Sequence, residues 1–181
     1  VKKLWLAVLL SASCAGEGTM QENVREAFEE WRAALLAGDA EKTYEMMSEG
    51  LKAGWLFERL TSEDRESVEF RRALTGAPRT DLDLWLEYNR KNPSQRAAVL
   101  PPSVSAHPNL RELYRRYFMQ ELASVRQQFS GLRVAEVYAD QTGASIAVKT
   151  PDGTTDLFQM VSEGAGWKID LHRRSIRSMR R

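Results

Sequence analysis

The chain has 181 residues, one cysteine, and 26 basic against 25 acidic side chains. That length is one domain with room for a buried core, and a single thiol excludes an internal disulfide framework. The near-neutral balance hides an asymmetry. Lys2 and Lys3 stand at the start and five arginines (Arg173, Arg174, Arg177, Arg180, Arg181) in the last nine residues, so the body between them is acidic by about six charges. The basic tail, 173–181, has no interleaved aromatic residue, which argues against a nucleic-acid partner.

In chain order, Lys2-Lys3 is followed by an apolar run from Leu4 to Leu10 and by Ser11-Ala12-Ser13-Cys14. A charged start, a short apolar core and small residues are the three parts of an export signal. The run falls well short of the ~20 residues needed to span a bilayer. Leu10-Ser11-Ala12-Ser13-Cys14 resembles the lipobox of a bacterial lipoprotein signal, with the large aliphatic residue one place further from the cysteine than in the family. The resemblance implies a signal peptide over 1–13, cleavage before Cys14, acylation of Cys14 as the membrane anchor, and a tether over 14–19. Ala15, where an Asp would direct retention in the inner membrane, implies the periplasmic face of the outer membrane of a bacterial cell envelope. An ordinary cut near Ala12 or Ala15, or a retained N-terminus, stays open beside it.

Thr19-Met20-Gln21-Glu22 has capping-box spacing and predicts a helix start. Val24, Phe28, Trp31 and Leu35 then mark one helix face that ends near Gly38, and Asp39 caps a second helix carrying Tyr44, Met47 and Leu51. Residues 51–108 form a helical and proline-rich segment. Trp55 to Leu60 is an apolar cluster, Thr61-Ser62-Glu63-Asp64 opens a short helix to Leu74, Gly76-Ala77-Pro78 breaks it, and Thr80 or Asp81 starts another that ends at Asn92-Pro93. Three prolines between Val99 and Pro108 predict a loop. From Asn109 a wide stripe (Leu110, Leu113, Tyr114, Tyr117, Phe118, Leu122, Val125, Phe129) predicts a long amphipathic helix stopped at Ser130-Gly131.

The last fifty residues change period. Leu132–Ala139, Ala144–Thr150, Thr155–Ser162 and Trp167–His172 alternate apolar with polar and are separated by turn residues, which predicts a four-stranded antiparallel meander with one apolar face. The class is α+β, with N-terminal helices packed on a C-terminal four-stranded antiparallel curved sheet, as one domain over 20–172. Two stretches, Phe28 to Ala40 and Asp156 to Asp170, resemble small bacterial lipoproteins of the nuclear transport factor 2-like superfamily. The resemblance implies a cone of sheet around helices. It also implies a ligand- or protein-binding module, with a homodimer, a protein partner or a small apolar ligand as its partners.

The pocket-lining candidates in such a cone are Trp31, Tyr114, Tyr117, Phe118 and Trp167. Superfamily enzymes of the polyketide-cyclase or ketosteroid-isomerase kind use a His with an acid inside the cone, and an enzyme on a hydrophobic small molecule is the alternative function. A structural component of an envelope assembly is another. On strict alternation Asp170 and His172 face away from Trp167, Ile169 and Leu171, which places them toward solvent or a partner, and His107 has a helix-entry or surface role. No catalytic residue is assigned. No metal-ligand spacing, phosphate loop or Gly-x-Ser-x-Gly motif occurs, so no metal or cofactor is expected.

Overall fold

The computed structural model describes residues 2–61, 65–74, 79–92, 99–164 and 166–173. The helix-opening Ser62-Glu63-Asp64, the breaks at Gly76-Ala77-Pro78 and Pro93, and the tail beyond Arg173 lie outside the described residues. So do the side chains of Cys14 and His172. The elements are α1 (Lys2–Ala37), α2 (Ala40–Glu45), α3 (Glu49–Thr61), α4 (Arg65–Ala73), α5 (Arg79–Lys91), α6 (Pro102–Ser105), α7 (Pro108–Phe129), and the strands β1 (Arg133–Ala139), β2 (Ala144–Lys149), β3 (Thr155–Glu163) and β4 (Gly166–Arg173). The architecture is α+β, and the sheet is an open antiparallel meander in the order β1-β2-β3-β4. Contacts divide the chain into two compact units, residues 1–33 with 127–181, and residues 34–126.

In the first unit the buried sheet residues Ile146, Val148, Phe158, Met160 and Ile169 alternate along their strands. Their face is occupied by rings. Phe158 lies 5.0 Å from Phe28, 5.8 Å from Trp31 and 6.1 Å from Phe129, and Trp31 meets Phe129 edge-on at 5.6 Å. Two bulges adjust the alternation. One falls between Val134 and Glu136, which turns both Val134 and Val137 toward partial burial although they are three apart. The other falls opposite Gln159/Met160, where Met160 pairs with Ile169 and Gln159 with Leu171, leaving Asp170 as the extra residue. Asp170 is 5% exposed, so strict alternation misplaced it toward solvent.

The turns are chemically specified. Asp140 Oδ1 accepts from the Thr142 amide at 2.7 Å, the Thr142 hydroxyl at 2.6 Å and the Gly143 amide at 3.1 Å. These bonds hold the Asp140 carboxyl below its usual range, the Thr142 hydroxyl having the largest effect. Arg32 Nη1 donates to the Leu132 carbonyl just before β1.

Helix α1 does not start at the capping box. It runs from Lys2 through Thr19-Met20-Gln21-Glu22, so the 14–19 segment expected as a tether is helical backbone. Leu and Ala dominate its first turns and favour helix, and the box is no more than a local option within a continuing ladder.

The break that the Gly-Asp pair predicted lies within the second unit. Gly38 takes φ +83°, its amide donates to Ala34 O at 3.1 Å, and the Asp39 amide donates to the same carbonyl at 2.9 Å. Asp39 Oδ1 then accepts from the Lys42 amide at 3.0 Å and caps α2. The expected second helix is two helices, because Ser48 Oγ accepts from Leu51 N at 2.9 Å and opens α3. The proline-rich stretch contains one helical turn, α6, since Pro102 stands in the first turn, where its missing N–H is no loss. Leu56, Leu60, Leu74, Leu82, Leu86, Val104, Leu110 and Leu113 form this unit's aliphatic core.

Candidate functional site

Of the aromatic residues expected to line a pocket, Trp31 packs among rings in the first unit, and Tyr114, Tyr117 and Phe118 pack in the second. Trp31 belongs to the ring cluster under the sheet and is 7% exposed. Tyr114 stacks on Phe118 at 5.9 Å and meets Tyr44 at 4.9 Å and Trp55 at 5.2 Å in the second unit, while Trp55 also reaches Phe70 and Tyr117. Burial pushes the Tyr44 phenol up to about 12, with the Glu49 carboxylate adding to the rise and Arg111 opposing it. The Tyr114 phenol is raised further, again chiefly by burial. Neither phenol ionises at neutral pH, so both rings act there as packing groups.

Tyr117 has a different surrounding. The Arg59 guanidinium lies 3.7 Å from the centre of its ring, and Arg59 Nη2 donates to the Tyr117 hydroxyl. One turn earlier on α3 stands Trp55, and Trp55 Nε1 and Arg59 Nε are buried without an acceptor, as is Trp31 Nε1. Such atoms carry an unrelieved desolvation penalty unless water reaches them.

Hollows open at two places on the first unit. One, of about 520 Å³, is bordered by Gln21, Tyr138, Asp140, Ser145, Gln159 and the bulged Asp170. Its wall is mostly polar, and the alternation pattern missed Asp170 as part of it. The second, of about 470 Å³, lies beside Trp167, with Asn23, Glu26 and Glu30 of α1 across from Ser162 and Gly166. Of the pocket-lining candidates, Trp167 borders this hollow. A smaller recess in the second unit, of about 70 Å³, sits over Tyr44 between Glu41, Arg111, Glu112 and Arg115. Arg111 Nη1 is held by Glu41 at 2.5 Å and Glu45 at 3.1 Å, so its charge is matched by carboxylates on the same surface.

Among the described residues no group of three or more His, Cys, Asp or Glu is arranged to hold a metal ion. Among them too, no helix is long and apolar enough to cross a membrane. His107 Nδ1 accepts from the Asn109 amide at 3.2 Å, a helix-entry contact at the start of α7. In comparisons with known proteins the chain matches no family model, no curated protein and no solved structure.

Proposed function

We propose that this chain is a lipid-anchored protein of the bacterial cell envelope, held through Cys14 at the periplasmic face of the outer membrane, and that its folded part is a non-catalytic module for a protein partner. The anchoring half of the proposal rests on the residues Lys2 to Ala15. Its physical content is that thioether- and amide-linked acyl chains add about 0.8 kcal/mol per buried methylene, enough for lasting attachment.

One observation carries the binding half. The inner face of the sheet is filled by Phe28, Trp31, Phe129 and Phe158 in mutual contact. A small apolar ligand or a proton-transfer dyad needs that space, whereas a protein partner uses what is outside it. The open hollows at Tyr138–Asp170 and at Trp167 are wide and polar-walled, which suits the rim of a protein contact better than an enclosed site for an apolar molecule.

Two measurements test the halves separately. Clickable fatty acid fed to cells should label the wild-type protein and leave Cys14→Ala unlabelled; equal labelling ends the anchoring claim. A photo-crosslinking residue placed at Ser145 should give a discrete protein adduct in intact cells. A small apolar molecule carried through native extraction and seen by mass spectrometry would overturn the binding half in favour of ligand transport.

A further inference from the structure

Helix α5 has two apolar faces, and the protein buries only one. Leu82, Trp85, Leu86 and Asn89 are buried, with Asn89 Nδ2 donating to the Trp85 carbonyl at 2.8 Å. At about 100° per residue the opposite side carries Asp81, Leu84, Tyr88 and Lys91, at intervals of three, four and three. Leu84 is 64% and Tyr88 51% exposed. The other large exposed apolar residues in the described part, Val68, Val99, Met119 and Tyr138, fall on four different segments, so α5 alone presents two of them one turn apart. Single exposed apolar residues need no explanation, but a pair at the seam spacing of packed helices does.

We propose that this face is the docking surface for a second copy of the chain, with α5 packed antiparallel on α5 about a two-fold axis at the level of Leu86. The sequence is self-complementary in that arrangement and in no parallel one. Leu84 meets Tyr88 of the second copy and Tyr88 meets its Leu84, while Asp81 meets Lys91 and Lys91 meets Asp81. A parallel pair sets Asp81 against Asp81 and Lys91 against Lys91. The antiparallel pair also sets the acidic first turn of one α5 beside the basic last turn, Arg90 and Lys91, of the other.

Both charges are already held in place. Ser103 Oγ donates to Asp81 Oδ2 at 2.5 Å, and Lys91 Nζ donates to Glu87 at 2.6 Å, so Lys91 in the dimer lies between Glu87 of its own chain and Asp81 of the other. A seam of three helical turns buries less than the roughly 1,200–2,000 Å² of a standard stable interface, which makes this a reversible dimer of about micromolar or weaker affinity.

The test is sedimentation of the full chain in mild detergent over a concentration series, comparing wild type with Asp81→Lys, Lys91→Asp and the double exchange. Wild type should gain mass with concentration. Each single exchange, which creates two like-charge contacts across the axis, should weaken dimerisation about tenfold, and the double exchange should recover it to within about threefold. Lys91→Asp also loses the contact to Glu87, but that loss persists in the double exchange, so recovery reads only the pair between copies. Chance sharing of a micelle follows none of this pattern. Leu84→Arg, at an exposed position where circular dichroism should remain unchanged, should abolish the dimer. A wild type that stays monomeric at the highest concentration, or a double exchange no better than the singles, overturns the proposal.

Discussion

At the scale of single residues the two buried phenols set how the protein responds to alkali. Unfolded tyrosine ionises near 10, Tyr44 in the folded chain near 12, and Tyr114 is displaced in the same direction. Below pH 10 both states keep the protons and stability does not depend on these groups. From pH 10 upward the unfolded chain releases them while the folded chain cannot, so stability falls through the interval to about 12. Absorbance at 295 nm should therefore show Tyr44 ionising only near pH 12, and Tyr114 held back in the same direction, unless the protein unfolds first. A smooth titration of all five tyrosines near 10 would contradict the burial of the Tyr44–Tyr114 pair. Phe158, with no exposure and three ring neighbours, is the corresponding residue of the first unit. Phe158→Ala should cost about 3–5 kcal/mol, read as a shift of the urea midpoint.

At the scale of elements, two glycines make opposite predictions. Gly131 precedes β1, and a Cβ added there would overlap the Pro151 ring in the β2–β3 turn. The ring cannot swing away, so Gly131→Ala should destabilise by about 1–3 kcal/mol. Gly54 lies inside α3 with nothing within 4 Å of an added Cβ, and Gly54→Ala should stabilise by about 0.5–1 kcal/mol. Thermal unfolding of the two variants beside wild type checks both signs. The same scale shows what the sequence made legible. Gly38-Asp39, the stripe from Leu110 to Phe129 and the turn residues at Asp140 and Asp152 marked their elements correctly, because each rests on a local rule of backbone geometry or side-chain period. The Ser48 start of α3 was hidden because Met47 and Leu51 continue the apolar face of Tyr44 across a break. The burial of Asp170 was hidden because a bulge is decided by pairing with β3, and no spacing within β4 records it. For the candidate site, the rings of Trp31, Tyr114 and Phe118 were legible as apolar faces, but helical spacing does not distinguish a residue that lines a hollow from one that fills it.

For the whole molecule the uneven placement of charge gives the anchoring proposal an independent reading. The full sequence has an isoelectric point near 8.0, with 26 basic and 25 acidic residues. Cleavage before Cys14 removes Lys2 and Lys3 and no acidic residue, leaving 24 basic against 25 acidic, so the net charge passes from +1 to −1 and the isoelectric point falls below neutrality. Acylation of the new terminal amine removes one further positive charge and moves it in the same direction. Replacing Cys14 separates the routes, since a lipobox depends on the thiol and an ordinary signal does not. On isoelectric focusing, wild-type protein from membranes should band on the acidic side of neutral, and Cys14→Ala should remain near 8.0 with its leader attached. If Cys14→Ala focuses on the acidic side as well, cleavage has not required the thiol, and the chain is exported by a conventional signal with no lipid. If both variants focus near 8.0, the leader is never removed, and the placement at the membrane surface fails with it.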